Sequence, residues 1–298
     1  MLGMALKNLL PNGIYLSSMD GDLRSREDTE TLFREYNPDK VIHMAGKVGG
    51  IKANMDYLGE FYYDNVLINS NVLEACRKFK VEKVISTLST CVYPDNAVYP
   101  LTEEQIHNGR PHTSNYAYAH AKRMVDVQSR AYRDQYGCNF VTVVPNNLFG
   151  LYDNFDLENS HVIPAMIRKI YEARENGKSV KLWGDGTPLR EFTYSEDMAK
   201  IILFLLENYE GREPINAGNT TEYSIRSIAQ MISKIYGYSG RIEWDSGKPP
   251  GQFRKPSSDK KLLDLGFDKG QYTDFHVALE RVCVWFENNY ETARGVKI

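Results

Sequence analysis

Lys40-Val41-Ile42-His43-Met44-Ala45-Gly46 decides the fold: a short apolar run of strand length that ends in the glycine-containing loop Lys47-Val48-Gly49-Gly50. A long helical pattern follows from about 55 to 79, with Leu58, Phe61, Val66, Leu73 and Cys76 among its apolar positions. The next strand is Lys83-Val84-Ile85-Ser86-Thr87-Leu88-Ser89-Thr90, interrupted by Cys91-Val92-Tyr93-Pro94. A polar loop then leads to a helix with Ala121, Val125, Tyr132 and Tyr136 at helical spacing, ending at Gly137. Asn139-Phe140-Val141-Thr142-Val143-Val144 is a further strand, stopped by Pro145. Strands alternating with helices of this length predict an α/β fold, a Rossmann-type doubly wound parallel sheet.

Upstream, Met1–Leu10 reads as the body of an amphipathic helix, and residues 13–18 as a short buried strand. A helix spans 26–36 and stops before Pro38. Past Gly150 the pattern loosens. A helix begins near Val162, Val180–Trp183 reads as a strand, and Ser195 caps a helix through Tyr209 with Glu196 and Asp197 in its first turn. Pro214–Gly218 reads as one more strand of the main sheet, and residues from about 223 as helix, strand (241–244), a Pro/Gly loop (248–251) and a terminal helix. The expected organisation is a first domain over 1–152, to which parts of 190–218 return, and a smaller α/β domain over 153–298.

The 298 residues carry 42% hydrophobic and 25% charged side chains, an ordinary balance for a globular protein with a large core. A net charge of −3 with mixed signs gives no footprint for nucleic acid or an anionic membrane. No apolar run approaches the roughly 18 residues that a spanning helix needs. Cys76, Cys91, Cys138 and Cys283 lack paired spacing, which argues against a zinc site or a disulfide scaffold and for a reducing, cytoplasmic setting.

Chemistry concentrates around Tyr118 and Lys122, four residues apart and so on one helix face. A nearby ammonium stabilises a phenolate and is expected to lower the phenol, making it an acid or base for carbonyl–alcohol interconversion. Taken alone, the pair also fits a surface tyrosine beside a solvated lysine. Ser89 and Cys91, two apart in an extended segment, are expected to face one cleft at the carboxyl end of their strand, where open α/β sheets bind ligands. A turn-capping serine and a buried structural cysteine fit the same spacing. His161, on a loop entering a helix, is a natural proton donor if its imidazole stays near neutrality. Trp183-Gly184-Asp185-Gly186-Thr187-Pro188-Leu189-Arg190 places an aromatic ring and a guanidinium around a tight turn, suited to a base or sugar face and a phosphate. A hairpin turn with a solvated charge fits it too. Arg254-Lys255 is a similar diphosphate candidate.

Together these motifs resemble the extended short-chain dehydrogenase/reductases, and within them the GDP-L-fucose synthases, from residue 1 to about 292. The resemblance rests on Ala45–Gly50, Leu88–Pro94, Tyr118-x-x-x-Lys122, Pro145-x-Asn147-Leu148-x-Gly150, Asp153-Asn154-Phe155, His161-Val162-Ile163-Pro164 and Trp183–Arg190. It implies a reductase triad of Ser89, Tyr118 and Lys122, with Cys91 as base and His161 as acid for epimerisation. Lys169, Trp183, Arg190 and Lys255 would surround the nucleotide-sugar. Gly3, Ala45, Leu88, Pro145, Asn147 and Leu148, with Ser89, Tyr118, Lys122 and His161, would border NADPH. The implied partners are a GDP-sugar and a second copy, as a homodimer built on helices 55–79 and 115–137. No metal is implied.

Two departures from the pattern fall at binding-loop positions, Pro250 where Asp is frequent and Asn146 where Thr is usual. A larger one lies at the start: of the glycine fingerprint that cradles a dinucleotide diphosphate, only Gly3 has a counterpart. This predicts an N-terminally truncated chain unable to hold the dinucleotide properly, with Gly3 inside the first helix and a slot between the strands at 14–18 and 40–45. Ser17-Ser18, where an NAD enzyme often carries an acid, favours NADPH. Alternatives are another nucleotide-sugar epimerase or dehydratase of the superfamily and a catalytically silent dimerisation fragment. Dehydratases of this type carry Asp-Glu just after the position of Ser89, where this chain has Thr90-Cys91.

Overall fold

A computed structural model describes residues 1–247 and 253–297. Its main sheet has four parallel strands in the order β1 (Lys40–His43), β2 (Lys83–Thr87), β3 (Phe140–Pro145) and β7 (Ile215–Ala217). Strand alternation sorts the core into two layers. Phe140 and Val144 of β3 pack with Val72 and Leu73 of α4 (Leu58–Lys78) and Val125 of α5 (Tyr116–Tyr136). Val141 and Val143 face the other way, onto Ala5 and Leu6 of α1 (Leu2–Leu9) and Met198, Ile201 and Ile202 of α7 (Ser195–Asn208).

The remaining sheets belong to a second core. One orders β4 (Asn147–Phe149), β6 (Leu189–Tyr194) and β8 (Glu222–Ser224); the other pairs β5 (Val180–Trp183) with β9 (Ile242–Asp245). Phe149, Phe155, Ile167, Phe275 and Phe286 fill it between α6 (Val162–Asn176), α8 (Ile225–Ile235) and α10 (Phe275–Asn288). Helix ends follow local chemistry. Ser25 caps α2 (Arg26–Tyr36) by accepting from the Asp28 amide, and α5 closes on Gly137 at φ +72°, a left-handed turn that glycine adopts without strain.

Several elements differ from the sequence expectation. Residues 13–18 form no strand: Ile14 is 58% and Leu16 45% exposed, and the Tyr15 hydroxyl donates to the Leu10 carbonyl at 2.7 Å. A strand needs a ladder to join, and among the described residues nothing pairs with the open edge of β1, so the segment does not pair with it either. The expected slot therefore has one strand wall, β1, although Gly3 does lie inside α1. The single helix at 55–79 is two, α3 (Ile51–Asp56) and α4, broken at Tyr57. The strand expected through Thr90 ends at Thr87, and Tyr194 rather than Ser195 stands at the cap of α7. Trp183 and Arg190 do not flank a hairpin, because β5 and β6 lie in different sheets. Pro250 and the rest of the loop 248–251 lie outside the described residues.

Candidate active site

The carboxyl ends of the main-sheet strands gather the reactive side chains. β2 runs into a tight turn at Thr90–Val92, which Ser89 caps: its hydroxyl oxygen accepts from the Cys91 amide at 3.4 Å. Ser89 and Cys91 are thus brought together by a turn and not, as expected, by strand alternation. The buried Cys91 thiol is pushed up by desolvation, while Lys255, the Ser89 hydroxyl and Lys122 pull it down.

Tyr118 and Lys122 share a face of α5. The Lys122 ammonium, 2% exposed as a residue, donates to the Thr87 carbonyl at 2.9 Å, and burial pulls its pKa down to about 8. The Tyr118 ring packs edge-on against Phe61, and its hydroxyl makes no hydrogen bond among the described residues. Its phenol is raised, first by burial and then by Cys91, so Lys122 does not lower it as the sequence suggested. Desolvation wins, because the ammonium is itself buried and engaged by a carbonyl. A raised phenol keeps its proton and suits a donor.

His161 reaches the same region by a specific route. The Gly50 amide donates to the Asn159 carbonyl at 3.1 Å, and a Cβ on Gly50 would stand 2.7 Å from the Ser160 carbonyl oxygen. This approach docks the loop before α6 onto the loop after β1. Asn54 of α3 fixes the turn by donating to the carbonyls of Gly49 and Gly50 at 2.8 and 3.0 Å. His161 is exposed at the mouth, yet the protein at its back lowers its imidazole by desolvation, away from the expected near-neutral value.

In the second core region the Lys169 ammonium lies 5.9 Å from the Trp183 ring centroid, and burial lowers it. Arg190 donates to the carbonyls of Leu189 (2.7 Å) and Phe253 (3.3 Å). Burial brings Lys255 down to about 8, with Cys91 and Arg190 among the groups it feels. Lys169, Trp183, Arg190 and Lys255 therefore offer cations and an indole face, the chemistry of a nucleotide diphosphate and its base.

The residues expected to border the cofactor are spread along the strand ends. A Cβ on Gly46 would meet Asn65 Oδ1 at 2.8 Å and Lys122 Nζ at 3.6 Å, so the backbone after Ala45 passes close to Lys122. Leu88 is core, Pro145 ends β3, Leu148 packs partly buried against the α1/α7 layer, and the Asn147 amide donates to the Glu191 carbonyl at 2.8 Å. Gly3 has open space around it, and the Met4 and Ala5 amides bond Met1, leaving those of Leu2 and Gly3 at the free N-terminus of α1. Free helix-end amides and an unpaired phenol beside an ammonium fit a nicotinamide dinucleotide with its phosphates at α1. Ser17 is engaged by Asp20, its amide and hydroxyl donating to Oδ2 at 2.7 and 2.9 Å.

Sequence reasoning missed His43, Asn65 and Glu191. His43 Nε2 meets Asn69 Oδ1 at 2.9 Å, and burial and Lys122 hold its imidazole at about 4. Each is a polar residue at an inward position of an apolar element, and that pattern was the available signal.

A parallel sheet, a tyrosine–lysine pair on the helix beside its carboxyl ends, and Lys255 and Arg190 near Cys91 fit the class of nicotinamide-dependent enzymes of the doubly wound fold. The chain belongs to the NAD dependent epimerase/dehydratase family, whose model matches residues 6–218. It is 44% identical over 283 residues to a GDP-L-fucose synthase of Dictyostelium discoideum, covering 94% of this chain and 88% of that one. A probable GDP-L-fucose synthase of Drosophila melanogaster is 40% identical over 289 residues, covering 94% and 90%. Among solved structures, a GDP-L-fucose synthetase of Naegleria fowleri bound to NADP superposes with a TM-score of 0.93 at 40% identity, covering 98% of this chain and 92% of that one.

Proposed function

We propose that this protein converts GDP-4-keto-6-deoxy-D-mannose to GDP-L-fucose by epimerisation at C3 and C5 and NADPH-dependent reduction at C4. The observation that carries the reading is the gathering of Ser89, Tyr118, Lys122 and Lys255 around Cys91, with Arg190 in turn close enough to act on Lys255. The C4 ketone acidifies the protons on C3 and C5. Cys91, as thiolate, removes them; His161 returns a proton on the other side. Ser89 and Tyr118 donate hydrogen bonds to the enolate oxygen. Tyr118 then protonates the C4 oxygen, with Lys122 holding the developing charge. NADPH supplies the hydride to C4.

Division near residue 152 into a dinucleotide-binding part and a nucleotide-sugar-binding part follows from this reading, with β7 joining the first. The working form is a homodimer. Tyr62, Tyr116, Met124 and Val127, each 44–49% exposed, crowd the α4/α5 face around a hollow of about 650 Å³. No helix among the described residues is long and apolar enough to cross a membrane, and the reaction belongs with cytoplasmic nucleotide-sugar supply. Incubation with GDP-4-keto-6-deoxy-D-mannose and NADPH tests the function: GDP-L-fucose must form as NADPH is consumed. Formation of a C4-reduced sugar without inversion at C3 and C5 rejects it.

A further inference from the structure

Arg190 and Glu191 are neighbours on β6, and strand alternation sends them to opposite sides. Arg190 borders the candidate cleft, whereas Glu191 is 2% exposed. Its carboxylate takes two hydrogen bonds from one residue, the Ser257 amide to Oε1 at 2.8 Å and the Ser257 hydroxyl to Oε2 at 2.5 Å. Burying a carboxylate is costly unless hydrogen bonds replace its water, and an apolar side chain would fill the same space without that cost. Beside a contribution from the Asn146 side chain, the carboxylate bonds Ser257, two residues beyond Lys255.

The rest of that segment is tied at several points. The Leu189 amide donates to the Phe253 carbonyl at 2.9 Å, and Arg254 pairs with Glu222 at 2.5 Å. Glu222 stands opposite Glu191 in the antiparallel β6/β8 ladder, so both carboxylates act from one strand pair. On the far side the Leu101 amide donates to the Pro256 carbonyl at 2.8 Å, and the Ser258 amide to the Leu101 carbonyl at 2.9 Å. Lys255 sits between these anchors.

We propose that Glu191 is a positioning residue: by gripping Ser257 from beneath β6, it sets Lys255 over the cleft that holds Cys91, where the ammonium serves both the diphosphate and the thiolate. This rests on the function proposed above. Groups facing Cys91 are Lys255 from this segment, Ser89 from its own turn, and Tyr118, Lys122 and Arg123 from α5. Losing the Lys255 charge from that set shifts the thiol upward.

The test compares Ser257→Ala, Ser257→Thr and Glu191→Gln with the unaltered full chain. GDP affinity is read by calorimetry, NADPH affinity separately, and solvent-deuterium exchange into the nucleotide-sugar across pH. Losing a hydrogen bond to a buried carboxylate predicts about tenfold or greater weakening of GDP binding in Ser257→Ala and Glu191→Gln. NADPH affinity is expected within about twofold of the unaltered chain, a change too small to report a lost contact. The exchange profile moves to higher pH, and Ser257→Thr, which keeps the hydroxyl, restores both readouts. Unchanged GDP affinity and an unshifted profile in Ser257→Ala overturn the proposal. So does a parallel fall in GDP affinity, NADPH affinity and melting temperature, which makes Glu191 a support of the fold only. An unaltered chain that neither binds GDP nor exchanges deuterium fails at the functional reading, and the positioning role falls with it.

Discussion

At Tyr118 burial and charge oppose each other, and burial prevails. The phenol is raised and keeps its proton, while Lys122 is drawn down to about 8 by the same desolvation. The sign of the pH dependence follows. As pH rises through about 8, Lys122 loses its charge, which the proposed mechanism uses for C4 reduction. On the proposed mechanism Cys91 acts as thiolate, and its thiol is raised, so proton exchange at C3 and C5 is expected to gain as pH rises. Single-turnover reduction is therefore expected to fall, and exchange to rise, between neutral and alkaline pH; two profiles moving together would contradict this. Tyr118 and Lys122 were legible from spacing, because a helix fixes which residues share a face. The direction of the phenol's shift was not, since desolvation depends on what the rest of the chain brings over the ring. Ser89 and Cys91 were found through an alternation that the turn at Thr90–Val92 replaces.

The elements show where local pattern holds and where long-range partners override it. α2 lies at 26–36 as read, because its cap and the following Pro38 are local signals. Residues 13–18 carried a strand-like pattern, yet a strand exists only with a neighbour to bond. The break between α3 and α4 at Tyr57 was hidden because periodicity runs through it, and docking of Gly50 on the Asn159–Ser160 backbone sets where α3 begins. That docking is testable. Gly50→Ala puts a methyl 2.7 Å from the Ser160 carbonyl oxygen, backbone that can yield only by moving the His161 loop. We expect a loss of about 1–3 kcal/mol in stability by chemical denaturation, as for overpacking in general, together with slower deuterium exchange. Stability loss with unimpaired exchange would separate the loop from the acid role of His161.

Over the whole molecule, the proposed reading places hydride transfer and proton exchange on the main-sheet core and the nucleotide-binding cations on the second core. The apolar α4/α5 face lies outside both cores, and a second copy is its expected cover. Val127→Glu or Met124→Glu, each placing a charge on a side chain 46% or 44% exposed, should convert a dimer to a monomer by light scattering. A chain that is monomeric before substitution at micromolar concentration would remove the need for that cover. The central claim is that one cleft separates proton removal from reduction through Cys91 and Tyr118. The measurement that tests it most directly is deuterium incorporation from solvent at C3 and C5 of GDP-4-keto-6-deoxy-D-mannose, alongside NADPH oxidation, in Cys91→Ala and Tyr118→Phe. Cys91→Ala is expected to abolish incorporation, while Tyr118→Phe slows NADPH oxidation by about a hundredfold or more and leaves measurable incorporation. Normal incorporation in Cys91→Ala, or undiminished oxidation in Tyr118→Phe, would contradict the assignment.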